Sequence, residues 1–97
     1  MSAPLSPEAI TAALEGLHGW TLEDGGAGIR KRFEFLDFSQ AWGFMSRSAL
    51  VAEQLGHHPE WFNVWSLVDV RLSTHDAGGL TDLDMQLAAA MDAIAHG

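Results

Sequence analysis

Glu60-Trp-Phe-Asn-Val-Trp-Ser-Leu-Val-Asp-Val-Arg-Leu-Ser-Thr74 carries the alternation that decides the fold. From Ser66 to Thr74, Val68, Val70 and Leu72 point one way while Asp69, Arg71 and Ser73 point the other, the period-two pattern of a half-buried strand. Glu60 to Val64 is a shorter strand ahead of it. A second pair lies upstream. Trp20 to Glu23 is a short strand, and Gly28 to Phe35 a longer one, with Ile29, Phe33 and Phe35 opposite Arg30, Arg32 and Glu34. The glycine-rich stretch Glu23 to Gly28 between them reads as a hairpin loop. Hairpins imply an antiparallel sheet.

Three amphipathic segments frame these strands. The first helix begins at Ser6, whose hydroxyl suits an N-cap, with Pro7 at the first helical position and Glu8 at the positive end of the dipole. Ile10, Leu14 and Leu17 share its apolar face, and Gly16 and Gly19 mark its exit. The second helix starts at Asp37, with Gln40 three residues on, a variant of the capping box. Phe38, Trp42, Met45, Ala49 and Ala52 recur at three- and four-residue steps up to an end near Leu55-Gly56. The third helix is capped by Thr81 with Asp84 at its third position, and Leu80, Leu83, Leu87, Met91 and Ile94 form its stripe. The order α-β-β-α-β-β-α predicts an α+β fold of two layers, three helices on one face of a four-stranded antiparallel sheet. An exposed edge strand could pair with another copy.

The chain of 97 residues is one small domain with no linkers or repeats. A domain this short buries a limited share of its surface, so self-association would help it. It has no cysteine and thus neither disulfides, thiolate nucleophiles nor zinc–thiolate sites. The net charge of −8 argues against direct binding to nucleic acid, which needs phosphate-neutralising cations. Arg30, Lys31 and Arg32 alternate along a strand and need not form one patch. No apolar run approaches the length of a membrane span, and Met1 to Glu8 lacks the basic flank and apolar stretch of a signal peptide, so a soluble, cytoplasmic protein is the expectation.

Candidate chemistry rests on histidines at element ends. His57 and His58 follow the second helix, and His75 follows the last strand. Glu53 precedes His57 by four residues, one helical turn, and could pair with it, although His57 could equally serve as a cation at the helix C-terminus. Pro59 restricts the backbone of His58. Thr74-His75-Asp76 offers a hydroxyl, an imidazole and a carboxylate in a row. Regular strand parity, if continued, would set His75 beside Asp69 and Arg71. The capping position accounts for Asp84 without any catalytic part. Adjacent histidines rarely converge on one ion, and neither an HExxH pair, a GxSxG elbow nor a phosphate loop is present, so no metal site is expected.

Taken together, Glu53-x3-His57-His58-Pro59-x5-Trp65-x9-His75-x8-Asp84 resembles the signature of the pterin-4a-carbinolamine dehydratases. The likeness covers effectively the whole chain, including Leu17-His-Gly-Trp20. Trp65 stands where many members have tyrosine. The resemblance implies dehydration of 4a-hydroxytetrahydropterin to the quinonoid dihydropterin, in recycling tetrahydrobiopterin for aromatic amino acid hydroxylases. It implies histidine acid–base chemistry without metal or cofactor, the pterin being substrate. It makes His57, His58 and His75 catalytic, with His58 and His75 as the proton-transfer pair and His57 orienting substrate with Glu53 as its partner. It places Pro59 and the Thr74–Ala77 segment, Asp76 included, around the pterin, Trp20 against the flat ring, and Trp65 and Asp84 in support. It also implies a homodimer or homotetramer. Some members additionally serve as dimerisation cofactors of a homeodomain factor, so a protein-interaction module is the competing function, which the full histidine set disfavours.

Overall fold

A computed structural model describes residues 3–96; Met1 and Ser2, part of the N-terminal segment considered above, lie outside them. The elements run α1 (Pro7–Glu15), β1 (Thr21–Leu22), β2 (Ile29–Glu34), α2 (Phe38–Leu55), β3 (Glu60–Val64), β4 (Leu67–Leu72), a 3-10 turn at His75–Ala77, and α3 (Asp82–His96). The strands form one antiparallel sheet in the order β1-β2-β4-β3. The two long strands therefore sit side by side at the centre, Ile29 opposite Leu72 and Phe33 opposite Val68.

The pattern of apolar residues explains the layering. Ile29 and Phe33 of β2 and Val68, Val70 and Leu72 of β4 are buried in one cluster with Ile10 of α1, Ala41, Phe44 and Ala52 of α2, and Met85, Leu87, Ala88 and Met91 of α3. All three helices thus cover one face. Phe33 and Phe44 bring their ring centroids to 4.6 Å across the layers. The other face carries Arg30, Arg32, Asp69 and Arg71. The basic triplet splits as strand alternation requires: Arg32 pairs with Asp69 on the open face, while Lys31 turns to the helices, where it meets Asp92 of α3 at 2.8 Å and lies over the Phe33 ring.

The starts of α1 and α2 are built as read, while the Thr81 hydroxyl, expected to cap α3, meets that of Thr74 instead. Ser6 Oγ accepts the Ala9 N–H at 3.1 Å and Asp37 accepts the Gln40 N–H at 2.8 Å. α2 stops because Gly56 adopts the left-handed conformation, φ 64°, and its N–H returns to the carbonyls of Ala52 and Glu53. The last strand differs from expectation. It ends at Leu72, not Thr74, because Ser73 turns its hydroxyl to the Ala27 carbonyl at 2.7 Å and Thr74 pairs with Gly79 in an isolated bridge that closes the 3-10 turn into a compact loop. His75 is therefore presented from a turn and not from a strand.

Candidate active site

The left-handed cap at Gly56 reverses the chain and leaves three residues, His57-His58-Pro59, before β3 begins. His57 folds inward, 8% exposed, and its Nε2 lies 2.5 Å from Asp84 Oδ1. Asp84 is wholly buried, and burying a carboxylate is tolerable only when its lone pairs are met. Its second oxygen accepts the Thr81 N–H at 2.9 Å and the Thr74 hydroxyl at 2.7 Å. The capping part expected for Asp84 is thus real and uses one oxygen. The other oxygen is free for His57. One carboxylate ties together the end of α2, the end of β4 and the start of α3.

His58 points outward, its Nε2 2.8 Å from Glu53 Oε1. His75, first residue of the 3-10 turn, has its Nε2 3.3 Å from Glu60 Oε2. Each of the three imidazoles therefore sets Nε2 toward a different carboxylate. A carboxylate oxygen accepts, so the hydrogen bonds of His57 and His58 favour the proton on Nε2 and leave Nδ1 the unprotonated nitrogen of those neutral rings, while His75 and Glu60 make a longer ion-pair contact. Gly56, His57, His58, Ser73, Thr74, His75 and Asp76 line one open cleft of about 250 Å³. A broader hollow of about 550 Å³ crosses the open sheet face past Arg30, Arg32, Phe62 and Asp69, but its carboxylate is already spent on Arg32 and it holds no imidazole.

Several expected partners are exchanged. Glu53 meets His58 and not His57, because four-residue spacing brings side chains together only while the helix lasts, and Gly56 ends it first. Trp20 does not belong to the cleft. It is 8% exposed, set edge-on to Phe33, and its ring N–H donates to Asp92 at 3.0 Å. Pro59 and Ala77 flank the cleft without lining it. Trp65 lies at the β3–β4 tip with a positive φ of 51° and an exposed indole, away from the histidines; the Asn63 amide donates to its carbonyl and to that of Leu67.

A charged network not foreseen from the sequence adjoins His75. Arg71 grips Glu23 with two nitrogens, at 2.7 and 2.9 Å, and gives its third to Glu60 Oε2 at 2.6 Å. Arg30 also pairs with Glu23. Arg71 and Arg30 together bring the Glu23 carboxyl down to about 2, overcoming the opposing effect of burial, and Arg71 lowers that of Glu60 as well. Room for this grip comes from Gly28, where a Cβ would stand 2.7 Å from Glu23 Oε1 and 2.9 Å from Arg71 Nη2. Three of the participants are remote in sequence, and nothing in local spacing announces the group.

Comparison with known proteins places the chain in a family. Residues 3–94 match the model of the pterin 4 alpha carbinolamine dehydratase family. A Rhizobium johnstonii protein assigned as a pterin-4-alpha-carbinolamine dehydratase is 58% identical over 91% of this chain and 87% of its own. One from a Bradyrhizobium strain, assigned likewise, is 62% identical over 94% and 92%. The crystal structure of a transcriptional coactivator/pterin dehydratase from Brucella melitensis superposes with a TM-score of 0.92 at 49% identity, covering 95% of this chain and 98% of that one. A pterin dehydratase-like RuBisCO assembly factor of the alpha-carboxysome superposes at 0.69 with 26% identity, over 80% and 90%. The chain belongs to the pterin 4 alpha carbinolamine dehydratase family, a family of hydro-lyases. Its architecture, three helices over a four-stranded antiparallel sheet, is the one the resemblance implies.

Proposed function

We propose that this chain dehydrates a 4a-hydroxytetrahydropterin to the quinonoid dihydropterin by histidine acid–base chemistry, with no metal or other cofactor. The observation that carries the reading is the meeting of His57, His58 and His75 in one cleft. In the elimination the N5–H and C4a–OH bonds break, the N5=C4a bond forms and water leaves. His58 and His75, the two exposed imidazoles, exchange the protons: one takes the N5 proton while the other protonates the departing hydroxyl. An imidazole has one ring nitrogen that can accept a proton and one that can donate it, so two such rings suit the two transfers. His57, fixed by the buried Asp84, orients the ring, and Thr74 and Asp76 complete the lining. In this reading the product returns to reduction in the recycling of tetrahydrobiopterin for aromatic amino acid hydroxylases.

Stopped-flow decay of freshly generated 4a-hydroxytetrahydropterin tests this. Wild-type protein accelerates the decay, and His58→Ala and His75→Ala each lose about 10²-fold or more of the acceleration. A wild-type protein without effect rules the activity out.

Self-association has its own support. Phe38, Trp42 and Leu50 stand exposed along α2, and β3 is an open sheet edge ending in exposed Phe62 and Val64. Both are features a homodimer or homotetramer would cover. Light scattering at several concentrations decides it, a monomer throughout being the contrary result.

A further inference from the structure

Glu60 is the first residue of β3 and faces Arg71 directly across the β3–β4 ladder. One of its oxygens, Oε2, touches both Arg71 Nη1 at 2.6 Å and His75 Nε2 at 3.3 Å. Arg71 cannot swing away, because its Nε and Nη2 are held by both oxygens of Glu23. Arg30 of β2 braces Glu23 from the other side. The charges of Arg30, Glu23, Arg71 and Glu60 cancel. What Glu60 offers the imidazole is therefore a fixed acceptor, and much less a bare negative charge.

The consequence for His75 follows from its position. It is largely exposed and sits on a three-residue turn, so packing does little to hold its ring. Of the other ionisable side chains lining the cleft, His57 and His58 face Asp84 and Glu53, and Asp76 is its own chain neighbour. Glu60 alone among the described ion pairs reaches His75 from another element. We propose that Glu60, clamped by Arg71, is a positioning residue that holds the His75 ring by Nε2 and turns Nδ1 to the substrate. This rests on the dehydratase reading above for what His75 does, while the contact itself stands apart from it. Glu60 acts through His75 and touches neither N5 nor the departing hydroxyl.

Two measurements test this. In stopped-flow assays, Glu60→Gln and Arg71→Met each lower kcat by about tenfold, the lower end of what an orienting partner of a functional histidine is worth, with KM within about twofold. In a His75→Gln background, Glu60→Gln changes kcat by less than about twofold, since the group it positions is gone. Equal losses in both backgrounds would overturn the proposal, as would a His75→Gln enzyme with undiminished kcat. The second measurement needs no turnover. Carbon-13 NMR follows the Glu60 carboxyl in the substrate-free protein, where its titration midpoint rises in Arg71→Met and also in His75→Gln. A Glu60 midpoint indifferent to His75→Gln removes the contact and the proposal with it. If the wild type leaves the carbinolamine unaffected, the dehydratase reading fails alone, and the carboxyl titration still decides the contact.

Discussion

Replacing Asp84 by alanine removes the acceptor for three donors at once: the His57 ring, the Thr81 N–H and the Thr74 hydroxyl. A buried donor left without a partner costs about 1–3 kcal/mol. Thr74 and Thr81 can still bond one another, their hydroxyl oxygens being 2.9 Å apart, so the losses do not simply sum. A net destabilisation of about 3–5 kcal/mol is expected, the range for breaking a buried polar pair from one side. That is a large share of the roughly 5–15 kcal/mol that holds a domain folded, and it lowers Tm by about 12 °C or more in a domain of this size. Asp84→Asn is the discriminating companion. Its oxygen can keep the Thr81 and Thr74 bonds while its amide, a donor, meets His57 Nε2, so the cost falls to about 1–3 kcal/mol and moves from folding toward the placement of His57. Urea unfolding followed by tryptophan fluorescence and circular dichroism, at one fixed protein concentration, gives both values. An Asp84→Ala protein within about 0.5 kcal/mol of wild type at unchanged m, the spread of an ordinary surface substitution, would refute the view that this carboxylate knots the three segments.

Two further outcomes follow from the same geometry. The Glu23 carboxyl is lowered from 4.5 to about 2 by Arg71 and Arg30, so the unfolded chain binds its proton first as pH falls; the stability this contributes is complete above about 4.5 and disappears as pH drops through about 2. Glu23→Gln should therefore be less stable than wild type at pH 6 and lose less on acidification, as measured by urea midpoints across pH 2–6; parallel curves would show that the pairs carry no stability. Gly56→Ala meets no steric obstacle, nothing lying within 4 Å of the added Cβ, but it places alanine at φ 64°, so a loss of about 1–2 kcal/mol is expected from backbone strain alone, with activity falling further because the cap aims His57 and His58; thermal unfolding and kcat measured together check both parts.

What could be read from the sequence follows the reach of each signal. Alternation in Ser66–Thr74 and Gly28–Phe35 and the helical periods between them are local and repeated, so the element order, the hairpins and the buried faces of β2 and β4 are visible in the chain; the stripe expected along α2 is not, since Phe38 and Trp42 stand exposed and Ala41, Phe44 and Ser48 join Ala52 in facing the core instead. The caps at Ser6 and Asp37 are single residues with one local partner each, and they too are visible. Side-chain pairing is another matter. Glu53 and His57 are one helical turn apart on paper, yet a single left-handed glycine between them sends the ring to Asp84. Asp84 is legible as a cap because the cap is three residues away, and illegible as the partner of His57 because that partner is 27 residues away. Trp20 shows the converse. Its place in a recognised segment suggested a ligand platform, whereas its indole fills the core under α3. The Glu23–Arg71–Glu60–His75 chain joins a hairpin loop, two strands and a turn, and only their folding brings them together.

Gly28 lies outside every helix and strand, at the far end of the hairpin loop from Glu23. Its φ is not in the left-handed region, so the demand made on it is one of volume: the clasp between a carboxylate and a guanidinium occupies the space a methyl group would need. Asp24, beside Glu23, is solvent-facing, whereas a larger residue at 28 meets both Glu23 and Arg71 and pries the clasp open. The absence of a side chain at one buried corner of the loop is in that sense what lets the charged network beside the cleft close.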